Sequence, residues 1–272
     1  MAEYRFGDNK KTLKRAEAIA GVLIAEADQI ASADQGVDVD RQRAVEFPTL
    51  FGWWRHINRT ATALRTLVDA GHTIETTPLV RAILEHTYSM IWLADVGAAG
   101  IAVVEDSTWE NRKKLIENLE RANWKLPDGV SVGSRPSTIP APGTPAADWH
   151  NKIKGEFDSF DQMDTAFGNA DMYPVYRNLC DYTHASAWTA FGYLEPLKDG
   201  SVALRFAADH KGRANTIWTT VCLIQAGLII SPMISGDPLN KTLQSAIRDL
   251  GIPNDLLPQR RPKAERKRPS MS

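Results

Sequence analysis

Apolar residues recur every three to four positions along most of this chain and alternate with polar ones in only one place, so its elements read as helices. Leu13, Ala16, Ala20, Leu23, Ala27 and Ile30 form one series, which predicts a first helix from a cap at Asp8 to Ala31. A second is predicted over 49–70, with Trp53, Ile57, Ala61, Leu64 and Val68 as its stripe and Gly71 as its stop. Thr77-Pro78 opens a third that reaches Asp95, because proline suits a first helical turn. Ser107-Thr108-Trp109-Glu110 has the form of a capping box and predicts a fourth over 108–124.

Residues 126–148, LPDGVSVGSRPSTIPAPGTPAAD, hold five prolines and three glycines and read as a loop. Beyond it a helix is expected over 148–166. Another is opened by Pro174 and continues through Phe191, with Tyr176, Cys180, Thr183, Ala187 and Ala190 on one face. In YLEPLKDGSVALRFA, two extended runs flank Lys198-Asp199-Gly200, the signature of a β-hairpin. A long apolar helix follows over 212–230, then a short one capped by Asp237-Pro238 and ended by Leu250-Gly251. The expected fold class is all-α: one helical-bundle domain over 1–252, with a small β-hairpin inserted near the C-terminal helices. The last stretch, 253–272, is rich in proline and positive charge and is expected to be a disordered basic tail.

Composition narrows the function classes. At 272 residues and 43% hydrophobic content the chain can bury a sizeable core. Its 32 basic and 33 acidic residues leave a net charge of -1, so any site for nucleic acid must be a local concentration of charge. Cys180 and Cys222 lie in helical segments at no metal or redox spacing and read as reduced core thiols. The N-terminal MAEYRFGDNKKTLKR lacks an apolar leader. The longest apolar stretch, VCLIQAGLIISPMI, is short for a bilayer and broken by Gln225, so no membrane segment is expected and a cytoplasmic location is. Gly-rich phosphate loops, GxSxG, HExxH and CxxC are all missing from the sequence.

The candidate chemistry is therefore a set of polar groups on apolar helices. Arg81 and Glu85 are four apart and can pair directly, whereas Arg81 and His86 point about 140° apart on a helix. Arg177, Asp181, His184 and Trp188 follow at spacings of four, three and four and would form one line, in which Asp181 could orient the His184 imidazole. The same Asp-x-x-His spacing at Asp69 and His72 invites comparison with dinuclear metal bundles, but those sites use glutamate at that spacing with carboxylates facing it from other helices, and Gly71 would end the helix before His72, so no metal is expected. Arg55, His56, Arg59 and Arg65 make the second helix a candidate anion face. The tail adds Arg260, Arg261, Lys263, Arg266, Lys267 and Arg268.

Taken together, WWRHINRTATALRTLVDAG, PLVRAILEHTYSMIWLAD and YRNLCDYTHAS resemble a bacterial all-helical family known mainly as a domain of unknown function, over roughly 45–235. That resemblance implies a helical fold and no established activity. Separately, Arg81-Ala-Ile-Leu-Glu-His86 resembles the Arg-x4-6-His signature of HEPN proteins, helical bundles that include metal-independent ribonucleases of toxin and phage-defence systems. The HEPN resemblance implies a homodimer acting on RNA, with His86 as acid/base group and Arg81 as phosphate stabiliser. The expected site is Arg81, His86 and His184 as catalytic groups, with Arg59, Glu85, Arg177, Asp181 and Tyr182 against the substrate and no cofactor. Two other classes stay open: a non-catalytic interaction protein braced by Arg81-Glu85 and Asp181-His184, and a small-molecule or metal-dependent enzyme in which several of His56, Glu85, Asp181 and His184 converge.

Overall fold

The computed structural model describes residues 10–33, 36–127, 129–167, 172–208 and 213–262. In chain order these form α1 (Lys10–Ala31), α2 (Phe47–Asp69), α3 (Thr77–Val96), α4 (Ala99–Arg121), α5 (Pro145–Asp158), α6 (Phe160–Phe167), α7 (Met172–Asp181) and α8 (Ala187–Phe191). Then come β1 (Leu194–Pro196), β2 (Val202–Leu204), α9 (Arg213–Ile230) and α10 (Asn240–Leu250). The expected all-α bundle with a small hairpin is the fold observed. The Asp8 cap lies outside the described residues.

α9 is the centre, packed against α1, α2, α3 and α10. It is apolar on nearly every side, as a helix surrounded by others must be. Two of its polar groups bond to those neighbours: Asn215 Nδ2 donates to Thr76 Oγ1 at 2.9 Å and Thr77 Oγ1 at 3.2 Å, and Thr220 Oγ1 to the Ala16 carbonyl at 3.1 Å, whereas Thr219 Oγ1 is buried without a partner. By length and hydropathy Asn215–Met233 could cross a membrane, which corrects the estimate that no stretch is long enough; 83% of that span is buried inside the bundle. On α2 the buried stripe is Leu50, Trp54, Ile57, Ala61 and Leu64, so Trp54 rather than Trp53 enters the core, while Trp53 stacks on Phe157.

Four boundaries differ from expectation for local reasons. The fourth helix starts at Ala99, a full two turns before the capping-box motif. Ser107 is therefore mid-helix, and its hydroxyl donates to Asp158 Oδ1 at 2.7 Å instead of capping. The expected 148–166 helix is two, parted by the extended Ser159 (φ -138, ψ 111). The helix opened near Pro174 ends at Asp181. Ser186 then caps α8 in a reciprocal box with Thr189, so the segment through Phe191 is also two helices. At the short last helix, Asp237 takes a left-handed turn (φ 44) rather than the cap position, and α10 begins after Leu239.

The first residues of the expected disordered tail are laid on the bundle. Gln225 Nε2 donates to the Leu256 carbonyl at 2.9 Å and the Arg261 N–H to the Ala166 carbonyl at 2.8 Å. Arg260 forks onto buried Glu156 through two 2.8 Å bonds and also reaches Asp95. Residues 263–272 lie outside the described part.

Candidate functional site

α3 carries the densest chemistry: it lies between α2 and α7 and keeps one strip partly exposed. Pro78, Ala82 and Ser89 are half-buried and lie within about 40° of one another around the helix. Arg81 and Glu85 border this strip on one side and His86 on the other. The roughly 140° between Arg81 and His86 is thus the width of the strip.

On the α7 border, the expected Arg81-Glu85 pair forms at 2.9 Å, with Tyr176 as a third member. The Tyr176 phenol donates to Glu85 Oε1 at 2.7 Å and accepts from Arg81 Nη2 at 2.9 Å, and it stacks on Phe160 with ring centroids 4.2 Å apart. Burial and the bond to Glu85 push the Tyr176 phenol up to about 12, so it stays a donor across the physiological range. One guanidinium nitrogen, Nε of Arg81, is buried without a partner. The triad closes on itself and fastens α7 to α3.

On the α2 border, His86 meets His56 with ring centroids 4.4 Å apart. His86 Nδ1 lies 2.8 Å from the Ala82 carbonyl. A carbonyl can only accept, so Nδ1 carries the hydrogen and, in the neutral ring, Nε2 presents its lone pair. Burial and the proximity of His86 hold the His56 imidazole below its ordinary range, so the two rings do not readily share positive charge.

The other sequence candidates fall into two groups. Of the expected anion face on α2, Arg55 is spent on the Ala27 carbonyl and Asp28, both at 2.9 Å, and Arg65 lies against Gly21. Arg59 is exposed, one turn beyond His56, and has no partner among the described residues. The line expected for Arg177, Asp181, His184 and Trp188 is broken by the end of α7. Arg177 and His184 are exposed, Tyr182 is half-buried, and the Asp181 carbonyl accepts from Ser186 Oγ at 2.6 Å. Asp181 therefore does not orient His184 on a common helix. Among the described residues no group of three or more His, Cys, Asp or Glu side chains is placed to hold a metal ion.

A second buried polar cluster escaped the sequence reasoning. Asp106 of α4, 1% exposed, is met by His150 Nε2 at 3.1 Å and by Arg135 through Nε at 3.2 Å and Nη2 at 3.0 Å. Burial alone would raise the Asp106 carboxyl. The bonds from His150 and Arg135 outweigh it and hold the group below the usual carboxylate range. Arg135 belongs to the proline-rich loop, which is tied further by Trp109 Nε1 to the Gly133 carbonyl at 3.2 Å and Thr138 to Glu105 at 2.6 Å. The only signal in the sequence was an aspartate at an apolar-phase position of a helix.

Residues 49–201 match the model of DUF5677, a family of unknown function, over just over half of the chain. The chain belongs to this family. The DUF5677 segment is shorter than the 45–235 expected and ends in the turn between β1 and β2, so α1, α9 and α10 lie outside it while the triad, the histidine pair and the Asp106 cluster lie within. No curated protein and no solved structure matches the chain.

Proposed function

We propose that this chain is a metal-independent ribonuclease whose working groups are His86 and His56, with Arg59 as the phosphate-facing cation. The observation that carries this reading is the histidine pair at the edge of a half-buried strip, His56 exposed and held below its ordinary range and His86 with a defined tautomer when neutral. Cleavage of this kind needs a base to take the 2′-hydroxyl proton as the 2′-oxygen bonds to phosphorus, and an acid to protonate the departing 5′-oxygen. Two imidazoles within reach of one phosphodiester are the residue types that can take up and give back a proton for these two steps. The assignment keeps the substrate class and acid/base group expected from the HEPN resemblance and moves the cation from Arg81, which is neutralised by Glu85, to Arg59. A cytoplasmic setting accords with two free thiols.

The closed Arg81-Glu85-Tyr176 triad favours a second reading, a non-catalytic helical interaction protein in which these groups only brace the bundle. Incubation of an RNA pool with purified protein in excess chelator separates the two. Cleavage is expected from the wild type, its loss in His86→Ala and His56→Ala, and weakened substrate binding in Arg59→Ala. Activity untouched by both histidine substitutions, or none in the wild type, overturns the ribonuclease reading.

A further inference from the structure

The hairpin that follows α8 leaves most of its apolar side chains in solvent. Its register pairs Leu194 with Leu204 and Pro196 with Val202, so these four side chains share one face, while Glu195 and Ala203 point to the other. A half-buried hairpin normally sets its apolar face on the core. Here the segment is fastened by other groups: Tyr193 donates to Glu75, Gly192 sits where a Cβ would come within 2.9 Å of Ile74 Cδ1, and Arg205 pairs with Glu195 at 3.4 Å. Apart from the half-buried Leu194 the apolar face is left to solvent, with Val202 56%, Leu204 86% and Phe206 105% exposed, beside Trp188 at 61% and Phe191 at 63% on the adjoining α8.

The three aromatic side chains hold out roughly 450 Å² of apolar surface, and the two aliphatic ones bring the patch to on the order of 700 Å². That exceeds the largest patch of an ordinary monomer, about 300–600 Å². It approaches the roughly 800 Å² that each partner contributes to a stable interface.

We infer that this face is the contact between two copies of the chain, packed hairpin against hairpin about a two-fold axis. An isologous contact must be complementary to itself. A face built from Pro196, Val202, Leu204 and Phe206 with Trp188 and Phe191 of α8 beside it carries no charge that would oppose its own copy, and the chain's net charge of -1 gives no long-range repulsion between copies. The inference does not depend on the histidine pair having any activity.

The test is the molar mass of the full chain by light scattering and sedimentation across a wide concentration range. The wild type is expected at twice the monomer mass. The double variant Leu204→Glu, Phe206→Glu is expected at the monomer mass with unchanged circular dichroism, since neither side chain contributes to the core. Trp124→Glu, on an exposed residue beyond the end of α4, is the control and should leave the dimer intact. A wild type that stays monomeric, whether because residues 1–9 or 263–272 cover the face or because a different protein does, overturns the inference, and so does a dimer that survives the double substitution.

Discussion

At the residue scale the informative positions are those whose chemistry depends on a neighbour distant in sequence. Tyr176 is 91 residues from Glu85, yet its phenol bridges the carboxylate and the Arg81 guanidinium. Tyr176→Phe removes both bonds and is expected to cost about 1–2 kcal/mol, read as a lowered denaturant midpoint at neutral pH. Because the folded phenol titrates at about 12, above the unfolded value near 10, its contribution is fully present below about pH 10 and is lost as pH rises towards 12. The wild type should therefore lose more stability than Tyr176→Phe between those two values. His56 gives the opposite sign: its folded value lies below that of the unfolded chain, so its contribution is present above about pH 6.5 and is lost on acidification. In His86→Gln, NMR titration of His56 should move up towards the ordinary value but stop short of it, since burial, the larger cause, remains. Arg81-Glu85 was legible as an i,i+4 pair; Tyr176 and the His56-His86 contact were not, because both depend on how α7 and α2 lie against α3.

At the element scale, helices and their apolar stripes were readable because the 3.6-residue period is local, whereas breaks within helical sequence were not. Ser107-x-x-Glu110 looks like a start, but the chain is already helical from Ala99, and a serine inside a helix finds a side-chain partner across the α4–α5 contact. Close approaches are equally invisible in the pattern. A Cβ at Gly100 would lie 2.6 Å from Val96 Cγ2 and 2.7 Å from Leu93 Cδ1, so Gly100→Ala forces the start of α4 off α3 and should destabilise by about 1–3 kcal/mol. Gly52, inside α2 with nothing within 4 Å of its added Cβ, should gain about 0.5–1 kcal/mol on replacement by alanine. Thermal melts of the two variants should shift in opposite directions.

At the scale of the whole molecule, the proline-rich loop and the start of the tail are the segments whose status changed most. Arg135 binds the loop to Asp106, and Arg260 binds residues 253–262 to Glu156 and Asp95. Asp106→Asn should loosen the loop, with a stability loss of about 2 kcal/mol and faster proteolysis between residues 126 and 144 as the measurement. Since Asp106 is held below the unfolded carboxylate value, its contribution is present above about pH 4 and fades as pH falls further, and the variant should show less acid sensitivity than the wild type. Composition marked both segments as unable to build a core of their own, which they do not; it could not show that single arginines anchor them to carboxylates supplied by distant helices. By itself the sequence determined the helical class, the positions of most helices, the hairpin and the Arg81-Glu85 pair, all consequences of periodicity and short-range spacing. Only the tertiary structure decided which polar groups meet, which arginines are already spent on carboxylates, and which face of the hairpin points outward, because those outcomes depend on the packing of elements far apart along the chain.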